Sequence, residues 1–192
     1  MPTINLILGL TTLRSVCVLG DGSISQGSTQ IMMPVLTQNQ SLTELELPST
    51  GLRNIEPLRG NTNLKCLNLF NNSLTDSDVD VLTTLRQLTH LYVSHNPIFN
   101  TGITTLAAMT TLRSLSMGIS TASFTAEHAK ALARHSGLTS LTIGYRLDTD
   151  HLQPLKNLTL LQDCFQENPY GRIKPIEAME AHIQAKIGRA SC

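Results

Sequence analysis

Leu64-Lys65-Cys66-Leu67-Asn68-Leu69-Phe70-Asn71-Asn72-Ser73-Leu74 reads L-x-x-L-x-L-x-x-N-x-L without a mismatch. Leu67 and Leu69, two residues apart, make a short strand with one buried face. Asn72 turns the chain, and Leu74 returns to the interior. A unit this small cannot bury its own apolar face, so the pattern requires neighbours that repeat it.

The neighbours are present. Upstream, Leu42-Thr43-Glu44-Leu45-Glu46-Leu47 leads to Thr50 and Leu52. Downstream, Leu88-Thr89-His90-Leu91-Tyr92-Val93 leads to Asn96 and Ile98. Leu112-Arg113-Ser114-Leu115-Ser116-Met117 and Leu138-Thr139-Ser140-Leu141-Thr142-Ile143 continue the series, and Leu13-Arg14-Ser15-Val16-Cys17-Val18 is a looser first copy. Leu158-Thr159-Leu160-Leu161-Gln162-Asp163 reads as a decayed last copy, with Asp163 in an apolar place. First leucines at 13, 42, 64, 88, 112, 138 and 158 give spacings of 29, 22, 24, 24, 26 and 20.

Motif and period together resemble the leucine-rich-repeat family over nearly the whole chain. The resemblance implies an α/β solenoid, with a curved parallel β-sheet on the concave side and short helices and turns on the convex side. About seven units occupy 1–165, and 166–192 are expected to form a C-terminal capping helix and tail. The scaffold serves many unrelated bindings, so it does not specify a partner.

Bulk composition narrows the class. Lys plus Arg balance Asp plus Glu at 14 each, which argues against non-specific nucleic-acid or membrane binding. The four cysteines, Cys17, Cys66, Cys164 and Cys192, form no C-x-x-C pair and no terminal cluster. Extracellular members of the family usually carry disulfide-rich caps, so a reducing, cytoplasmic compartment is expected. Ile4–Leu10 is apolar but short, with no preceding base, and is not a convincing targeting segment. It aligns with the tails of later units. Met1 therefore opens inside the convex half of a unit, either as a partial cap or because upstream sequence is missing.

The convex returns differ in helical character. Gly20, Gly22, Gly27 and Pro34 make the first one loop-like. Asn54–Leu58 allows one turn at most. Thr75–Leu85, Gly102–Met109 and Thr125–His135 read as helices, the first and last with threonine caps. Thr149–Leu155 is brief again. This mixture is similar to the bacterial and ribonuclease-inhibitor-like subclasses. Asn168-Pro169-Tyr170-Gly171 signals a turn. After Pro175, Ile176, Met179, Ile183 and Ile187 share one helical face, which suits a cap over the open apolar end.

Strand alternation identifies the candidate surface. Positions one, four, six and eleven of each unit face inward. Position nine, held by Asn72 and Asn96, bonds neighbouring backbone. Positions three, five and seven point out of the sheet, and position eight lies at its edge. The candidate partner-binding residues are Glu44, Glu46, Cys66, Asn68, Phe70, His90, Tyr92, His95, Ile119 and Tyr145. A strand needs no exposed aromatic to fold, so Phe70 and Tyr92 are anchors for a protein partner. Glu44 and Glu46 leave one strand on one side and would meet a basic patch.

Catalysis has one rival candidate. Cys66 beside His90, with Glu44 in the same column, resembles a thiol nucleophile. No oxyanion site or Gly-rich elbow accompanies it, and Cys66 stands between the other two, so Glu44 cannot orient His90. No metal spacing and no phosphate loop appears, and no cofactor is implied. The expectation is a non-catalytic protein-binding module: an adaptor or an enzyme inhibitor. Family analogy extends this to a secreted bacterial effector delivered into a host cell without a signal peptide. The alternatives are a Cys66/His90 enzyme and a fragment of a larger receptor.

Overall fold

The structure is a computed structural model that describes residues 13–20, 33, 36, 38–118, 124–143, 153–158 and 160–161, together with the backbone of 163–167 and 173–175. One eight-stranded sheet runs through it in chain order: β1 (Ser15–Cys17), β2 (Glu44–Glu46), β3 (Cys66–Asn68), β4 (His90–Tyr92), β5 (Ser114–Met117), β6 (Ser140–Ile143), β7 (Asp163–Glu167) and β8 (Ile173–Pro175). The first seven strands are parallel. The last reverses direction, pairing Glu167 with Ile173. The sheet therefore passes residue 165 and takes in 173–175. Pro175 sits at the edge of the sheet, where a strand tolerates a residue that cannot donate.

The parallel register is that of the repeat. Ser15, Glu44, Cys66, His90, Ser114 and Ser140 align as one column, and Val16, Leu45, Leu67, Leu91, Leu115 and Leu141 as the next. From the second unit to the sixth, the residues at positions one, four and six are all buried in one continuous core. Each layer contributes its own leucines and covers those of the layer before. Burying one such side chain contributes about 1.5–3 kcal/mol.

The seventh unit differs from expectation. β6 pairs Ser140 with Asp163 and Leu141 with Cys164. Position one of that unit is thus Leu161, three residues later than Leu158, and Asp163 occupies position three. The reason is visible in the other units. Each convex return ends in a three-residue staircase that packs before the strand begins: Leu82, Leu85, Leu88; Leu106, Met109, Leu112; Leu132, His135, Leu138. All of these are buried, as are Leu155, Leu158 and Leu161. Leu158 is the middle step of its staircase.

The convex side mixes helix types. A five-residue 3₁₀ turn covers Glu56–Gly60, followed by α1 (Asp76–Leu82), α2 (Asn100–Ala107), α3 (Ala126–Leu132) and a second 3₁₀ turn at Gln153–Asn157. The first return is less loop-like than expected. Met33, Leu36 and Gln38 have helical backbone, and Met33 and Leu36 are core residues. Leu36 begins the staircase that ends at Leu42. The N-terminal segment 1–12 and the capping helix expected at 176–187 lie outside the described residues.

α1 and α3 are capped within their own segments. Thr75 N–H donates to Asp78 Oδ2 at 2.8 Å, and Thr125 N–H donates to His128 Nδ1 at 3.0 Å. α2 has no such local cap and borrows one from the preceding unit. Asp76 accepts from Phe99 N–H at 2.5 Å and from Thr101 Oγ1 at 2.6 Å. Gly102 makes room for it, since a Cβ there would sit 2.7 Å from Asp76 Oδ1 and 2.4 Å from Ile98 Cγ2.

Candidate functional site

The turn after each strand builds the site's rigid edge. Asn72 is buried and serves two units at once. Its Nδ2 donates to Leu69 O at 3.0 Å and to Leu47 O at 2.8 Å, and its Oδ1 accepts from Thr50 N–H and Leu52 N–H. Asn96 repeats this one layer on, donating to Val93 O and Leu69 O and accepting from Leu74 N–H. The residue just before takes left-handed backbone in three successive units: Ser49 at φ 56°, Asn71 at 52° and His95 at 59°. That conformation is uncommon for residues other than glycine. Here it continues the inter-unit ladder, with N–H of Ser49, Asn71 and His95 bonded to Phe70 O, Ser94 O and Gly118 O. In the first unit the place is taken by Gly20, whose Cβ would lie 2.0 Å from Ser49 O.

This edge holds the aromatic pair. Phe70 and His95 meet edge to face, with ring centroids 5.0 Å apart and an interplanar angle of 65°. Such pairing adds about 0.5–1.5 kcal/mol beyond area burial. Phe70 N–H donates to Asn68 Oδ1 at 3.0 Å, which turns the Asn68 amide toward it. Tyr92 stands next to Asn68 in register and is half-buried, as is Phe70; His95 is exposed. Ser94 departs from the expected outward set. It is buried, with its Oγ 2.8 Å from Ser116 Oγ and accepting from Gly118 N–H at 2.7 Å. It ties β4 to β5 and offers nothing to a partner.

The acidic pair sits one strand before Cys66. Glu44 is exposed and Glu46 half-buried, and neither forms an ion pair among the described residues. The Cys17 thiol donates to Glu46 Oε2 at 3.7 Å. Cys66 is the register partner of both Glu44 and His90. Burial pushes its thiol up, and the Glu46 and Glu44 carboxylates push it further in the same direction. A nucleophilic cysteine needs the opposite environment. The His90 ring turns elsewhere, with Nδ1 2.9 Å from Thr89 Oγ1. The column brings Cys66 and His90 side by side and favours the protonated Cys66 thiol.

The sheet thus assembles Glu44, Glu46, Cys66, Asn68, Phe70, His90, Tyr92 and His95 on three consecutive strands and their turns. Ile119 and Tyr145 lie outside the described residues. Sequence reasoning missed the left-handed backbone at His95. Gly20 at the equivalent place does not signal it, since that glycine answers to its close approach to Ser49 O and not to a positive φ. Among the described residues, no group of three or more His, Cys, Asp or Glu is arranged to hold a metal ion. No described helix is long and apolar enough to cross a membrane.

Comparison with known proteins agrees with this geometry. The leucine-rich-repeat family model matches residues 40–98. Among solved structures, the chain is similar to internalin C2 from Listeria monocytogenes, at 26% identity and a TM-score of 0.54, covering 69% of this chain and 55% of that one. It is also similar to an internalin, inlF, from the same organism, at 22% identity and a TM-score of 0.59, covering 86% of this chain and 49% of that one. The second likeness shows the fold alone. The chain spans about half the length of each of these two structures. No curated protein matches it in sequence.

Proposed function

We propose that this chain, which matches the leucine-rich-repeat family model over residues 40–98 and resembles bacterial leucine-rich-repeat proteins, is a non-catalytic module that binds a folded protein on its strand face. The observation that carries the reading is the Phe70–His95 pair beside half-buried Tyr92. Aromatic anchors of this kind supply a large share of binding energy at protein interfaces. They stand on backbone locked by Asn72 and Asn96, so docking orders little and loses little entropy. Glu44 and Glu46 extend the surface toward a basic patch on the partner. The action we assign is that of an adaptor or of an inhibitor that covers an enzyme's active site. The same reading puts the protein in a reducing compartment and, by analogy with bacterial relatives, makes it an effector delivered into a host cell. It requires no cofactor.

The test is the double variant F70A/Y92A. It should melt as cooperatively as the parent and capture at least about tenfold less of the partner recovered by affinity purification and mass spectrometry. Undiminished capture would move the interface elsewhere, for instance to the helical face where Glu127 and Lys130 pair at 2.7 Å. The enzyme reading has its own check. Cys66 should react with iodoacetamide at neutral pH more slowly than a free cysteine, because its thiol is held protonated. Fast labelling would revive it.

A further inference from the structure

The chain is neutral by count, yet its charges sort by edge. The segments that lead each convex return into its strand are 13–14, 38–43, 59–65, 83–89, 107–113, 133–139 and 156–162. They hold seven of the 14 Lys and Arg residues and no Asp or Glu. The negative ends of helices account for part of this, since Arg86 and Arg134 follow α1 and α3 closely. Lys65 and Arg113 have no such reason, because they precede strands. Both are exposed, as is Arg86, and none of the three forms an ion pair among the described residues.

A groove opens beside Arg86. It encloses about 430 Å³ between the ends of α1 and α2, with Leu85 and Met109 as its floor, Thr105, Ala108 and Thr110 as walls and Arg86 on its rim. No carboxylate lines it. Lys65 O accepts Thr89 N–H at 2.9 Å, and Thr89 O accepts Arg113 N–H at 2.8 Å, so these residues stand on consecutive rungs. Two rungs of about 4.8 Å separate Lys65 from Arg113 at the backbone, with Arg86 leading into the rung between them.

We propose that this groove, with Arg86 on its rim and Lys65 and Arg113 on the neighbouring rungs, forms a second docking site, which takes an acidic polypeptide segment by seating one aliphatic side chain on Leu85 and Met109. Carboxylates on either side of that residue reach Lys65, Arg86 and Arg113. An apolar floor with Arg86 on its rim, no carboxylate in its lining and two further bases on the neighbouring rungs is complementary to that composition. Single-stranded nucleic acid fits less well, because it binds through aromatic platforms. The aromatics Phe70, Tyr92 and His95 lie away from this edge, and the groove walls are threonine and alanine. The site is independent of the strand-face reading, since it uses none of that surface.

The experiment is fluorescence anisotropy on the full chain. The probe is a labelled Asp/Glu peptide with one central Leu, about 12 residues long at about 3.3 Å per residue, enough to pass all three bases. Binding should weaken at least about fivefold as the screening length falls from about 10 Å at 0.1 M salt to about 3 Å at 1 M. It should weaken when the central Leu becomes Gly, fall at least about tenfold in R86E/R113E, and survive F70A/Y92A. T110E, a single exposed change that puts a carboxylate into the groove wall, should also weaken it and covers the case in which the double variant misfolds. The proposal is overturned if the peptide binds no better than its all-Lys counterpart, or if R86E/R113E and T110E leave binding intact. It is equally overturned if oligo-uridylate or phosphatidylserine vesicles bind this edge tenfold tighter than the peptide.

Discussion

The two edges of the strand ribbon are built on the same backbone ladder but locked differently. After the strand, a buried side-chain amide does the joining: Asn72 bonds backbone groups of Leu47, Thr50, Leu52 and Leu69. Before the strand, backbone joins backbone, and a threonine hydroxyl adds a redundant bond. Lys65 O accepts N–H from both Thr89 and His90, and Thr89 Oγ1 only adds to them at 3.1 Å. The same arrangement recurs with Thr43 on Arg14 O and Thr139 on Arg113 O. Rigidity is thus concentrated where the aromatic pair sits, and tolerance to substitution where the bases sit.

The largest effect should come from the amide edge. Asn72→Ala takes the acceptor away from the Thr50 and Leu52 N–H groups, and a buried group left unpaired costs about 1–3 kcal/mol. We expect a loss of at least about 2 kcal/mol in chemical denaturation; a loss under about 1 kcal/mol would mean that water replaces the amide. Next comes the bridge between α1 and α2. Burial works against the Asp76 charge, but the Thr101 hydroxyl and N–H groups of Phe99, Gly102 and Thr101 outweigh it and hold the carboxyl below its ordinary range. A depressed carboxyl contributes stability above its unfolded pKa and loses it as pH falls through the folded value. Asp76→Ala should therefore cost about 1–2 kcal/mol at neutral pH, as a lost cap does. The gap from the parent should narrow in acid. A gap that does not change with pH would contradict the assignment.

His135 gives a smaller test, in which stability again falls in acid. It is buried in the staircase, with Nε2–H bonded to Ala107 O and Nδ1 without a partner among the described residues. Burial keeps it neutral by lowering its pKa, despite the Ala107 bond. The unfolded chain then takes up a proton first, so stability is unaffected above about pH 6.5 and falls below it. His135→Leu, matching Leu85 and Leu158 in other units, should flatten that acid limb. An unchanged limb would show that another group titrates. The smallest effect is expected from Thr89→Ala, about 0.5 kcal/mol or less, since Lys65 O keeps two donors. A loss near that of Asn72→Ala would erase the contrast between the edges.

Much of this was legible in the chain. Core leucines at fixed offsets set the register of six strands, because one residue of slip would turn every leucine outward. The seventh was misread for a physical reason. Leu155, Leu158 and Leu161 offer two candidates for position one, and Asp163 and Gln166 supply no apolar residue to decide between them. The columns that bring Glu44, Cys66 and His90 together followed from the register. The left-handed backbone at Ser49, Asn71 and His95 did not, since none is glycine. Asp76 reaches residues more than 20 positions away, so no local pattern announces it. Balanced totals hid the sorting of charge, which emerges only once returns and strands are placed on opposite edges.

The most direct measurement puts a photo-crosslinking amino acid at Asn68, beside Phe70 and Tyr92, and separately at Lys130 on α3, and exposes both proteins to the captured partner. The account predicts a covalent adduct from position 68 and none from position 130. An adduct from position 130 alone would contradict it.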